Sequence, residues 1–394
     1  MSKEERLAHS CLNAPSALDA VSDAAMRVAN GARDRAESKD VPGAFPDEDM
    51  AALAHAGLLH APLPIAFGGL GLGIDEATSL TLARILRIIG GASLSLGRLY
   101  EGHVNALKLV ALYGATHHLE TLRAEADAGR FSGVWNAQDG DALALVERDG
   151  GRQFLGRKIH TSGAGRIRRP LVTAQAQGTD GPLLILSCLD GTTERVDLAR
   201  WAGAQGMRAT ATGAVDFSRL AVAKADIVGK PGDYYRPPHF AAGAWRFLAV
   251  QLGAMEALLE HLRQHLRMTK RDGDPHQRTR FAEAAEAVQT GRLWVRSAAL
   301  TAENPRIPPA TAMAYVDLAR GAIERAALTV IEQAQRSIGL TAFLAPHPVE
   351  RIARDLATYL RQPFVDAARD NAAAYRLAAE VDPHVDWDIG PGTS

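Results

Sequence analysis

Two histidine pairs, His117-His118 and His261/His265, are the first places where side chains of catalytic or metal-binding type lie close together. Four apart on a helix, His261 and His265 share a face that a cation could occupy. Neither belongs to a recognisable metal motif, so a solvated face is the favoured explanation of the spacing and no metal site is expected. A second cluster is Pro348-x-Glu350-Arg351-x-x-Arg354-Asp355, where Glu350 and Arg354 stand four apart and can pair along one helix. By itself it reads as the charged start of a surface helix. Cys11 and Cys188 lack metal-ligand spacing, and Cys188, in the apolar run 183–189, reads as a buried thiol. The chain has no Walker loop, no His-Glu-x-x-His, no Gly-x-Ser-x-Gly and no Gly-x-Gly-x-x-Gly between a strand and a helix.

The elements that must position these residues follow from composition and periodicity. The 394 residues are 47% hydrophobic and 23% charged, with a net charge of −1. That is the make-up of a globular protein, and nothing in it calls for a nucleic-acid or membrane partner. Residues 1–10 are charged and no apolar run reaches membrane-spanning length, from which a cytoplasmic protein is expected. Helical spacing predicts helices over 16–38, 75–89 and 93–113, and one more opening at Pro46-Asp47-Glu48 and stopping at Gly57. Short apolar and β-branched runs then fill 131–228, with Asp149-Gly150-Gly151 as a hairpin turn, predicting a small β-barrel or sandwich. Beyond Lys230-Pro231-Gly232 the pattern is helical again. Leu248, Leu252, Met255, Leu259, Leu262 and Leu266 form a bundle seam, and further helices are expected over 281–302, 312–337 and 349–376. The resulting expectation is an α+β, mostly α chain: a helical domain over 1–129, a middle β-domain over 130–232 and a helical bundle over 233–394.

In that order of elements the chain resembles the acyl-CoA dehydrogenase family. The resemblance rests on FPDEDMAALAHAGLLHAPLPIAFGGLGLG at 45–73, on His103-Val104-Asn105 with Leu112-Tyr113-Gly114, and on Gly156-x-Lys158-Ile159-His160-Thr161-Ser162-Gly163. It rests further on His276-Gln277, Gln335-x-x-x-Gly339 and Pro348-x-Glu350-Arg351-x-x-Arg354-Asp355. It implies an N-terminal helical domain, a middle small β-barrel and a C-terminal four-helix bundle around FAD. Trp135, Asn136, Ser162 and Gly163 would face the flavin ring, where a hydroxyl tunes its electron affinity. Arg267, Gln277, Gln335 and Gly339 would reach the pyrophosphate and adenosine, partly from a neighbouring copy, which implies a homodimer or homotetramer.

The family removes a substrate proton with a Glu, and both of its usual places are altered here. Counting from Asp355 gives Pro363, and the alternative place on the first bundle helix gives Gly243. General-base catalysis contributes a factor of about 10²–10⁴, so this loss bears on the reaction itself. Glu101, in the register that ends the family's acyl pocket, and His160, on the flavin strand, are the candidate substitutes. The expectation is an FAD-dependent oxidoreductase acting on the CH–CH group of an acyl thioester or similar small molecule. Two alternatives stand beside it: a reduced-flavin monooxygenase of the same fold, which needs no such Glu, and a redox-silent flavin-binding protein.

Overall fold

The computed structural model describes residues 16–380 except 149, 191 and 192. Cys11 and residues 381–394 lie outside the described residues. Among the described residues five helices come first: α1 (Ala17–Arg35), α2 (Asp47–His55), α3 (Ser79–Ala92), α4 (Leu94–Tyr113) and α5 (Thr116–Asp127). Ser16 opens α1 by accepting the backbone N–H of Asp19, and Val21, Ala25, Val28, Ala29 and Ala32 form its buried stripe.

Nine short strands follow: β1 (Val134–Trp135), β2 (Ala144–Arg148), β3 (Gly151–Leu155), β4 (Arg157–Thr161), β5 (Leu171–Ala176), β6 (Leu183–Leu186), β7 (Val196–Asp197), β8 (Gly213–Asp216) and β9 (Ile227–Val228). One sheet runs β3-β2-β5-β6-β9 with β1 also on β5, and the other runs β4-β8-β7. The β2–β3 hairpin turns where Asp149-Gly150-Gly151 predicts it. Phe154 and Trp135 both meet the Phe217 ring edge-on, at 5.4 and 6.3 Å, in the core of this β-domain. Cys188 is half-buried, its thiol on Asp190 at 3.3 Å, because its strand has already ended at Leu186.

The helical bundle comprises α6 (Trp245–Met268), α7 (Pro275–Glu303), α8 (Pro309–Ile338), α9 (Pro348–Tyr359) and α10 (Val365–Ala378). The single helix expected over 349–376 is two. Pro363 removes a backbone donor, and Phe364 adopts a left-handed φ of 62°, so α9 and α10 share the bundle's fourth position. Leu248, Leu252, Met255, Leu262 and Leu266 are buried as the seam predicts; Leu258 joins them, while Leu259 is half-buried. Among the described residues no helix is long and apolar enough to cross a membrane.

Three joints hold these parts around one another. Helices α3 and α6 touch backbone to backbone: a Cβ on Gly90 would lie 2.3 Å from the Val250 carbonyl oxygen, and one on Gly253 2.1 Å from that of Arg87. His103 of α4 donates from Nε2 to the Leu59 carbonyl at 2.9 Å, and its Nδ1 accepts the Ser132 N–H at 3.0 Å. Burial holds this imidazole neutral and pushes its pKa down to about 4. The charged start of α9 is the third joint. Asp355 Oδ1 accepts the Met207 N–H at 2.6 Å, and Arg354 reaches Glu350 at 2.7 Å, Asp40, and the Gln205 carbonyl at 2.5 Å. The motif that reads as a solvated helix start is a clamp among bundle, β-domain and N-terminal helices.

Candidate active site

The pocket that gathers expected residues lies where α4 meets the edge of the β-domain. Arg98, Leu99 and Gly102 of α4 line it on one side, with Gly133, Trp135, Ser162 and Ile167 on the other. The Trp135 indole N–H donates to the Ser162 carbonyl at 3.1 Å, so these two residues hold each other in place. Ser162 Oγ accepts from the Thr212 hydroxyl at 3.1 Å, which leaves its own proton to donate elsewhere. Gly163 needs its positive φ of 78°, and a Cβ there would press on Ile167 at 3.0 Å.

Asn136 continues this wall. Its Oδ1 accepts from Thr173 at 2.5 Å, and its carbonyl accepts from Lys158 Nζ at 3.0 Å. Lys158 is buried with hydroxyl and carbonyl partners, and burial lowers its pKa to about 8. The Tyr234 phenol, raised in pKa by burial, also hydrogen-bonds Asn136.

Glu101 is 4% exposed, and both of its carboxylate oxygens are engaged. Arg98 holds Oε2 at 2.6 Å and the Asn105 amide holds Oε1. The chain of contacts continues inward: Arg246 Nε donates to Asn105 Oδ1 at 2.5 Å, and Arg246 also pairs with Glu303 at 2.9 Å. Glu303 takes the Trp245 indole N–H at 2.9 Å and an ion pair from Lys108. Burying charges at this depth is costly unless each has an opposite charge and hydrogen bonds, and this network supplies both.

At Gly243, the first-bundle-helix place where the family's Glu would be sought, any side chain would have to displace the buried Arg246. A Cβ there would stand 1.9 Å from the Arg246 guanidinium, which fills the space. Pro363 is exposed in the α9–α10 turn, its carbonyl accepting from Arg320 at 2.6 Å. Tyr359, at the end of α9, is buried, and its hydroxyl has no hydrogen-bond partner. Burial first, then the nearby Glu101 charge, keeps this phenol protonated.

The other expected residues lie elsewhere. His160 is exposed at a bulge in β4, with φ 53° and its ring edge-on to Trp201 at 5.9 Å. Arg267 is exposed at the C-terminal end of α6, while Gln277 is buried in the first turn of α7. With its amide oriented to satisfy both ends, Gln277 donates to Ser337 Oγ at 3.0 Å and accepts from Arg280 at 3.2 Å and from Arg271. Gln335 caps α8 through its carbonyl, which receives the Gly339 N–H, and Gly339 has φ 80°. Arg246 and Arg267 stand at opposite ends of α6, about 30 Å apart at 1.5 Å per residue. One chain therefore does not bring its two groups of expected cofactor residues together.

Arg98, Tyr234, Arg246 and Tyr359 are absent from the sequence expectation. The spacing Arg98-x-x-Glu101-x-x-x-Asn105 places three polar groups on one face of α4 and was available as a signal; the tyrosines carry none. Among the described residues no cluster of three or more His, Cys, Asp or Glu could hold a metal.

Residues 239–360 match the family model of the acyl-CoA dehydrogenase C-terminal domain. The chain is 26% identical over 390 residues to a dibenzothiophene monooxygenase of Rhodococcus erythropolis, covering 86% of this chain and 90% of that protein. It is 26% identical over 272 residues to a probable FMNH2-dependent monooxygenase of Pseudomonas putida, 66% of each chain. Among solved structures, TdsC of Paenibacillus sp. A11-2 in complex with FMN and indole superposes with a TM-score of 0.78 at 21% identity, covering 91% of this chain and 97% of that one.

Proposed function

We propose, from the premise that the chain is a divergent member of the acyl-CoA dehydrogenase fold family, that it is a reduced-flavin-dependent monooxygenase of a small organic molecule. The observation that carries this reading is Gly243. Its side-chain space belongs to the Arg246 guanidinium, so neither usual place holds a carboxylate that could take a substrate proton. The relatives named as monooxygenases support it further. It displaces the dehydrogenase expectation, which needs that base.

The residues present fit a flavin. Trp135 supplies an aromatic wall, and Ser162 keeps a free hydroxyl proton beside it. FMN suits the chain better than FAD: Gln277, one of the residues that the resemblance sets at the longer cofactor's pyrophosphate and adenosine, is buried and spends both ends of its amide on Ser337, Arg271 and Arg280. When bound, the reduced flavin supplies two electrons, so that one atom of O₂ enters the substrate and the other leaves as water. The chain's part is to wall the pocket with Leu99, Trp135 and Ile167, to exclude water, and to keep Arg98 fixed through Glu101. In this reading Glu101 orients a cation rather than acting as a base, and His160 stays outside the reaction. A cytoplasmic setting, where reduced flavin is supplied by a reductase, accords with it.

The test has two arms. Supplied with FMNH2 and oxygen, the protein should direct oxygen into an organic acceptor; anaerobically, a panel of acyl-CoAs should leave bound oxidised flavin yellow. Bleaching by an acyl-CoA would overturn the reading.

A further inference from the structure

We propose that the start of α9 is an acid-sensitive latch: His261 and His265 on α6 and His347 at the α9 cap repel one another when protonated and release the helix start. The proposal stands apart from the flavin reading, since none of the three lines the pocket beside α4. His347 Nδ1 accepts the Val349 N–H at 3.3 Å, which satisfies one of the backbone donors that a helix start leaves open. Only an imidazole with a bare Nδ1 can accept there, so a proton on that atom removes the cap. The His265 ring stands edge-on to His347 at 6.4 Å, and His261 lies one turn earlier on the same face of α6. The pair that reads from sequence as a solvated face thus meets a third histidine from far along the chain.

The surrounding charges give these histidines little help in holding protons. His261 is opposed by His347, by Arg351 of α9 and by Arg33 of α1, and His265 by His347 and by Arg271 beyond the end of α6. Glu260 favours a proton on His261, but Arg263 binds it at 2.8 and 2.7 Å and Gln264 at 2.7 Å. Glu350 of α9 is bound by Arg354 at 2.7 and 3.0 Å. Burial, ahead of these charges, lowers the pKa of all three imidazoles. The folded cluster therefore binds fewer protons than the unfolded chain. The stability it lends is present above the ordinary histidine value of 6.5 and lost as pH falls below it. Asp355 titrates the other way, since burial raises it to about 6 and acid relieves the cost of its charge. The loss is local in its effect. The latch lies just ahead of Arg354 and Asp355, whose bonds to Asp40, the Gln205 carbonyl and the Met207 N–H join α9 to the N-terminal helices and the β-domain. Acid loosens this joint before it unfolds the bundle.

The experiment is hydrogen–deuterium exchange of the full chain at about pH 7.5 and about pH 5.5, either side of the ordinary histidine value. Exchange is read as protection factors, so that its intrinsic pH dependence cancels. Protection at residues 349–352 should fall about fivefold at the lower pH, the loss of one helix cap, while α7 keeps its protection. His347→Asn keeps a capping acceptor and carries no titrating group, so it should hold its protection at the lower pH. His265→Gln removes a repelling neighbour and leaves the cap, and should show an intermediate loss. Asp355→Asn should leave the loss in place. Unchanged protection in the wild type, the full loss in either histidine variant, or a loss abolished by Asp355→Asn overturns the proposal. So does a loss spread evenly over α7 and α9, which is global unfolding.

Discussion

His103 and Asp355 respond to acid in opposite directions. Burial lowers the His103 pKa from 6.5 to about 4, so the folded chain binds fewer protons than the unfolded one in that interval. Stability from this residue is therefore present above pH 6.5 and lost as pH falls toward 4, by about 3 kcal/mol at 1.4 kcal/mol per unit. Burial raises Asp355 from 3.8 to about 6, so its contribution is present below pH 3.8 and lost as pH rises through 6, by a similar amount. Urea unfolding across pH 4–6.5 should show His103→Gln losing less stability on acidification than the wild type, and Asp355→Asn losing more. Identical slopes would mean that neither buried group governs the acid limb. The sequence exposes such roles unevenly. His103 is quoted in the family resemblance, but only its two bonds to Leu59 and Ser132 reveal a weld between segments. The unpartnered Tyr359 hydroxyl follows from packing by residues far off in the chain.

At the scale of elements, the most informative segment is α9. Its composition reads as an ordinary charged helix start, and periodicity cannot tell solvent from a neighbouring backbone as the thing its polar face meets. Here that face meets Met207 N–H and the Gln205 carbonyl. Gly206 between them lets the helix approach; a Cβ would lie 2.5 Å from the Arg354 carbonyl oxygen. Gly206→Ala should therefore cost about 1–3 kcal/mol, because the obstacle is backbone and yields little. A thermal unfolding curve identical to that of the wild type would show the clamp to be more compliant. Gly243→Glu, the substitution that would restore the family's carboxylate, should destabilise the fold by displacing Arg246 from Glu303 and should confer no acyl-CoA oxidation. The bundle seam was legible because apolar spacing reports burial directly. The break at 362–364 was half legible: Pro363 announces it, whereas a left-handed Phe364 has no sequence signature.

Over the whole molecule, the order of helices, strands and bundle was readable because each segment's periodicity is local, while the pocket joins residues 98, 102, 135, 162 and 167, which no local pattern connects. Arg267 and Gly339 stand at the bundle end remote from that pocket, near Met268, Leu340 and Phe343, which are 76%, 75% and 56% exposed. Exposed apolar groups so close together favour a second copy of the chain, and light scattering should return a mass at least twice 42.0 kDa. A monodisperse monomer at micromolar concentration would remove that expectation. The joint between α3 and α6 bears on a different matter, which is traffic. Backbones in direct contact at Gly90 and Gly253 leave no layer of side chains on which the two helices could slide. The N-terminal helices and the bundle therefore cannot hinge apart to admit a molecule.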